Sequence, residues 1–382
     1  MFVPSGTGRA EVRLPCGMAR QLHKNSLTRV MSCRSFLCLA VAFASAAGTF
    51  RAYAWDYEGH RLVNRLALAA LPDEFPSFIK SVTQVERTSF LSGEPDRWRN
   101  VPDLSMAHSG GSWTDHFLDL EYLPEAGIDV ETLTSFRFDF VVQFAAGRAA
   151  NAQNFAPIDP AKNRDHTQEW PGFAPWAITE YFGRLRSGFS YLKVYEELGT
   201  PDEVLNAQAN IIYVMGIMAH YVGDCAQPLH TTKHYNGWSG DNPNDYTRWN
   251  GIHSLADGFP TKAGFEFGQL APRLEAAKPV ALLSRSDGRD PMFVAVLDFI
   301  RAQNSQVGPL YQLEKDGKFR TGVMTDEARA FFEARILQGS QMLASIWLTA
   351  YRSAVPDTFL RSALIRRATA ETTRDATAKG KP

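Results

Sequence analysis

Cysteine is nearly absent from this 382-residue chain. It has four, and three of them, Cys16, Cys33 and Cys38, lie near the start. Cys225 is left alone in the rest of the chain, so no internal disulfide can staple it and stability has to come from a core. An excess of positive charge is missing too: 40 Lys and Arg stand against 41 Asp and Glu. Seven of those bases and one acid fall in residues 1–54, so beyond Ala54 33 bases face 40 acids, a formal charge of −7. A chain that acidic is not held on nucleic acid by counterion release alone. If it handles phosphates, metal ions have to bring the positive charge. Long apolar runs are also lacking. The stretch 35–50 is short and rich in Ala and Ser, and 211–223 is too short for a bilayer. There is no internal repeat, P-loop, dinucleotide fingerprint or G-x-S-x-G elbow.

What is there begins with a leader. From Met31 the chain reads "MSCRSFLCLAVAFASAAGTFRAYA", an Arg-bearing start, an apolar stretch and a closing A-x-A triplet. That is the pattern of a secretory signal peptide cut after Ala54, with an uncleaved anchor as the alternative. Residues 1–30 are long for such a leader, which points to a true start at Met18 or Met31. Cleavage would make Trp55 the first residue of an exported chain, periplasmic or secreted, with no membrane span left. The remaining 328 residues are ample for one large domain. We expect three parts: the leader at 1–54, one domain at 55–355 and a polar tail at 356–382, disordered or a fraying helix end.

The coarse pattern is all-α. Apolar spacing predicts helices over 58–71, 74–87, 174–198, 202–225, 290–304 and 325–352. Residues 93–115, 154–173 and 235–251 read as loops, being rich in Gly, Pro, Ser, Asn and Asp. Residues 117–123, "FLDLEYL", alternate briefly and suggest a short extended piece.

Chemistry concentrates in "IIYVMGIMAHYVGDCAQPLHTTKHY", residues 211–235. His220 and Asp224 stand at i and i+4 on one face of a helix whose company is apolar. Burying a carboxylate and an imidazole there is costly unless they are paired or metal-bound. His230 follows past Pro228, and "GIHSLADG" supplies a second such pair, His253 and Asp257. One buried His beside an Asp is most often a satisfied core pair. Two pairs with another His between them favour a zinc site, since imidazole and carboxylate are zinc ligands. Cys225 adjoins Asp224 but points elsewhere on the helix, as a structural buried thiol would.

His-x3-Asp-x5-His in "HYVGDCAQPLH", together with the Trp-x4-His of "WDYEGH", resembles the S-one/P-one nuclease family and its relative zinc phospholipase C. The likeness runs in islands from Trp55 to Asp257; the C-terminal third fits by composition only. It implies a single compact multi-helix domain of that type, with long loops around a trinuclear zinc cleft. Carried over residue by residue, it implies three Zn2+ ions. Asp96, His116, His220 and Asp224 would hold the first, and His230, His253 and Asp257 the second. The third would take the Trp55 amine and carbonyl oxygen, His60, and Asp224 as a bridge. Asp224 and Asp96 would carry the catalytic roles. An α-amino group has a pKa of about 8, so a freed Trp55 amine gives its lone pair to a metal cheaply near neutral pH. Glu94 and Asp103 compete with Asp96, and Asp257 follows "SLA" where bulkier residues are expected. His108, His166 and His234 have no place in the scheme, although His234 could line the cleft. Asp115 and Asp119 flank His116 and could accept from ligand imidazoles.

The resemblance implies a zinc-dependent phosphodiesterase acting on single-stranded DNA or RNA, with no stable protein partner. Trp238, Tyr246 and Trp249, in the loop 235–251, could stack a base; they could equally line a headgroup pocket or pack the loop. A phospholipase C-like enzyme is the alternative, with Tyr57 and Glu58 available for a cationic headgroup. A zinc-binding protein without turnover is the alternative of another class. The missing disulfides and the "YNGW…GIH" loop depart from the eukaryotic nucleases, which puts strand preference in doubt.

Overall fold

A long apolar helix lies at the centre, and the other elements are arranged around it. The computed structural model describes residues 55–99 and 113–379. In chain order its helices of six residues or more are α1 (Tyr57–Ala70), α2 (Val82–Leu91), α3 (Glu94–Arg99), α4 (Arg137–Ala150), α5 (Ala174–Leu198) and α6 (Pro201–Ala226). They continue with α7 (Ile252–Asp257), α8 (Pro291–Asn304), α9 (Val307–Lys315), α10 (Asp326–Ser353) and α11 (Thr358–Lys379). Among the described residues the only strands are the two-residue β1 (Phe319–Arg320) and β2 (Val323–Met324), an antiparallel hairpin. None of the described helices is long and apolar enough to cross a membrane.

The central helix is α6. Thr200 caps it, accepting from the Glu203 backbone N–H while the Glu203 carboxylate accepts from that of Thr200, and Pro201 occupies the first turn, where its missing N–H costs nothing. Every residue from Met215 to Ala226 is buried. Helices α1, α2, α5 and α10 enclose it. Gly199 and Thr200 alone link α5 to α6, so these two helices run back to back. The described residues fall in one compact unit.

Helices expected at 58–71, 174–198, 202–225, 290–304 and 325–352 stand within one residue of those bounds at each end. The one expected at 74–87 does not. Pro76 cannot continue a helix, so the chain makes a 3-10 turn at Ser77–Lys80 and α2 starts only at Val82. Within the expected loop 93–115, Glu94–Arg99 is helical, with Pro95 tolerated in its first turn. Helix α4 gave no periodic signal because Phe138 and Val142 are exposed and only Phe140 and Phe144 are buried. The polar tail forms α11, which Arg361 ties to Glu197 and Arg367 ties to Glu203 at 2.7 Å. The expected leader, cleavage point and start codons, with His108 and Asp103, lie outside the described residues.

Candidate metal centre

Three segments converge on the C-terminal half of α6. The first is α1, started by Asp56, whose carboxylate accepts from the Gly59 N–H at 2.9 Å. The Asp56 N–H also donates to the Asp257 carbonyl at 3.0 Å, which fixes the start of α1 against α7. The second is the stretch at 117–120. Leu118 and Leu120 donate to the carbonyls of His230 and Thr231 at 3.0 and 3.2 Å, so a short extended pairing holds His116 beside His230. The third is α7, which carries His253 and Asp257 one turn apart. Gly223 marks the closest approach: a Cβ there would lie 2.9 Å from His60 Nδ1 and 3.8 Å from Trp55 Cδ1.

The side chains meet in overlapping sets. His116, His220 and Asp224 form one, His60, Asp96 and His220 another, and His230, His253 and Asp257 a third; all are buried. His220 is shared by the first two, and Asp224 reaches three imidazoles across them. Its Oδ2 lies 2.9 Å from His116 Nδ1 and 3.3 Å from His220 Nε2, and its Oδ1 lies 3.4 Å from His60 Nε2. Asp96 Oδ1 is 3.8 Å from His220 Nε2 and 2.8 Å from the Arg99 guanidinium. In the third set His253 Nε2 is 3.0 Å from His230 Nε2 and 3.3 Å from Asp257 Oδ2.

Tautomers follow from the partners of the other ring nitrogens. His220 Nδ1 faces the Ser92 carbonyl at 2.7 Å, and His230 Nδ1 faces the His116 carbonyl at 3.0 Å. A carbonyl can only accept, so each Nδ1 carries the proton and each Nε2 turns a lone pair inward. Gln227 plays the matching part for Asp257: its amide donates to Oδ1 at 2.7 Å while its own oxygen accepts from Leu229 N–H at 2.6 Å. Asp224 Oδ1 and Asp257 Oδ2 are buried without a hydrogen-bond partner. Leaving such atoms unsatisfied costs about 1–3 kcal/mol each, more for a charged group.

Electrostatics point the same way. Burial pushes the Asp224 carboxyl up to about 6 against the pull of His116, and pushes Asp257 well above the carboxylate range against the pull of Gln227. Burial also drives the His253 imidazole down to about 3, and His220 and His230 well below the usual range. His220, His230 and His253 are therefore neutral, with Nε2 lone pairs turned inward, and Asp224 and Asp257 have no Lys or Arg partner among the described residues. Five imidazoles and three carboxylates converging in this way can hold metal ions.

The structure thus brings together His60, Asp96, His116, His220 and Asp224, and separately His230, His253 and Asp257. Trp55 adjoins His60, its indole buried against Phe332. Glu94 is turned away to Arg97 at 2.6 Å. Asp115 pairs with Arg137 at 2.5 Å, and the acceptors behind the His220 and His230 rings are backbone carbonyls. Cys225 is a buried free thiol. Trp238 stacks on His234 at 3.9 Å and leans on Tyr246, so these two aromatics pack their own loop. Trp249 is 46% exposed and rests on the backbone of Gly251, two residues before His253. His166 stands on an exposed loop beside Glu169.

Three residues escaped the sequence. Arg99 sits three positions after Asp96 on α3, where only the helix reveals the pairing. Gln227 lies past the expected end of the helix 202–225, with no spacing that marks it. Tyr235, half-exposed, sets its ring edge-on to His253 at 5.7 Å; its signal was its place at the head of the aromatic loop, five residues after His230. No protein-family model matches this chain, and no curated protein sequence matches it.

Proposed function

We propose that this protein is a zinc-dependent phosphodiesterase that cleaves single-stranded nucleic acid, of the S-one/P-one nuclease type. The observation that carries the reading is the pair of inward Nε2 atoms, on His220 and His230, each fixed by a backbone carbonyl and each grouped with a buried carboxylate, Asp224 or Asp257, that leaves one oxygen unsatisfied. Imidazole and carboxylate donors without thiolate suit zinc. His116, His220, Asp224 and Asp96 would hold one ion and His230, His253 and Asp257 a second. His60 and Asp224 would take a third with the Trp55 amine, once cleavage after Ala54 frees it. Zinc held there would supply water activation and Lewis-acid stabilisation for phosphodiester hydrolysis.

The chain's own residues do the rest. Asp224, set among three imidazoles, keeps them in register. Arg99 orients the Asp96 carboxylate and adds a buried positive charge near both clusters, complementary to a phosphodiester anion. Tyr235, half-exposed beside His253, would offer its ring to a nucleobase.

The test is elemental analysis of the mature protein with its N-terminal sequence, followed by hydrolysis of single-stranded DNA, RNA and phosphatidylcholine under one set of conditions. About three zincs, Trp55 first and cleavage of nucleic acid are expected. Hydrolysis of the phospholipid alone would make this a phospholipase C-like enzyme. Full zinc with no turnover on any of the three would make it a binding protein. No zinc after metal-replete preparation would sink the mechanism.

A further inference from the structure

Beside the metal centre, and apart from its ligands, lies a surface on which arginines and aromatics alternate. The Tyr57 ring has the Arg61 guanidinium at 5.4 Å and that of Arg97 at 5.6 Å. Arg97 in turn lies over Phe90 at 4.2 Å, and Arg87 lies over the same ring at 5.7 Å. The order is Arg61, Tyr57, Arg97, Phe90, Arg87, drawn from α1, α2 and α3. Tyr57 and Phe90 remain 43% and 37% exposed, large for rings beside a buried site. The ladder is held rather than loose. Glu86 pairs with Arg61 at 2.7 Å and Glu94 with Arg97 at 2.6 Å. A Cβ on Gly93 would meet the Tyr57 ring at 2.9 Å, so only glycine lets the ring lie flat there. Arg87 is exposed and enters no ion pair among the described residues.

The ladder is continuous with the metal centre through its backbone. Tyr57 lies one turn before His60 on α1. Arg97 stands next to Asp96 on α3. Between Phe90 and Gly93, the Ser92 carbonyl holds the His220 ring. We infer that this surface is the track along which a single-stranded nucleic acid lies outside the metal centre. Bases would stack on the exposed rings and guanidinium planes, and a phosphate would meet Arg87. Stacking of this kind tolerates any base, since every base has a π-face. A folded protein partner would need a contiguous apolar patch, which two rings separated by guanidinia do not make. The inference rests on the nucleic-acid reading above and names the part of the chain that holds the strand.

Binding of fluorescein-labelled single-stranded phosphorothioate oligonucleotides of three and twelve residues to the zinc-loaded protein, followed by anisotropy, tests it. Cleavage of the unmodified 12-mer is measured alongside. Tyr57→Ala and Phe90→Ala are each expected to weaken the 12-mer about tenfold while moving the 3-mer little. Arg87→Ala, an exposed change that cannot disturb folding, should lower the slope of log Kd against log salt for the 12-mer by about 0.7. An unchanged ratio of 12-mer to 3-mer affinity in all three variants overturns the track, as does equal weakening of both lengths. If the wild type cleaves the 12-mer and the ratio does not move, only the track is wrong. If the wild type neither cleaves nor binds the 12-mer, the nucleic-acid reading falls and the track with it.

Discussion

At the scale of single residues, the site depends on side chains that stand behind the candidate ligands. Gln227 is fully buried and holds Asp257 through one amide hydrogen while its oxygen is held by Leu229 N–H. Gln227→Leu keeps the volume and removes both contacts. We expect zinc affinity of the His230, His253, Asp257 set to fall about 10–100-fold, read by competition with a chromogenic chelator. Gly223→Ala is expected to act by crowding. A methyl 2.9 Å from His60 Nδ1 must push the ring off Asp224, costing about 1–3 kcal/mol of stability in a thermal melt and the ion that His60 would help to hold. Unchanged zinc content in this variant would remove His60 from the ligand set. The i, i+4 pairs were legible in the sequence because helical spacing alone puts His220 over Asp224 and His253 over Asp257. Arg99 and Tyr235 were not, because what gives them a role is proximity in space to Asp96 and His253.

At the scale of elements, helices with a wet and a dry face could be read and the rest could not. Helices α5, α6 and α10 were plain in the chain. Helix α4, with phenylalanines both in and out, was hidden, and α2 was displaced by Pro76. Helix α11 was hidden differently. Its residues are polar, and part of what ties it down is charge, from Arg361 to Glu197 and Arg367 to Glu203. Its hold should therefore respond to pH. The hydrogen bonds from Arg367 and then from the Thr200 backbone pull the Glu203 carboxyl down to about 2 in the folded chain. A depressed carboxyl stabilises the fold above its unfolded pKa near 4.5, and that contribution is lost as pH falls from there toward 2. Limited proteolysis should accordingly release the C-terminal helix at pH 3 well before the core opens. Arg367→Ala should show the same release at pH 6. Equal resistance of that variant at both values would assign the docking to apolar contacts instead.

For the molecule as a whole, the metal and the fold should be thermodynamically joined. No disulfide crosses the described residues, and the centre of the core contains Asp224 and Asp257 in places where burial alone favours the neutral acid. A cation that binds the folded chain offsets that burial and stabilises it by mass action, about 4 kcal/mol when present at a thousand times its dissociation constant. Chelation by EDTA is expected to lower Tm by several degrees and zinc to restore it, with magnesium unable to do so. A Tm indifferent to chelation would return the clusters to ordinary core polar residues.

His116 faces two ways. Its ring belongs with His220 and Asp224, and its backbone carbonyl fixes the ring of His230 in the other set. The next residues, through Leu118 and Leu120, are laced to the chain of His230 and Thr231. An ion that settles the His116 ring therefore also settles the carbonyl that aims His230. Occupancy of one set should prepare the other, and zinc should enter the two with positive cooperativity. A calorimetric titration of the metal-free chain would then rise sigmoidally, and Leu118→Pro, which removes one rung of the lacing, would separate it into two independent steps.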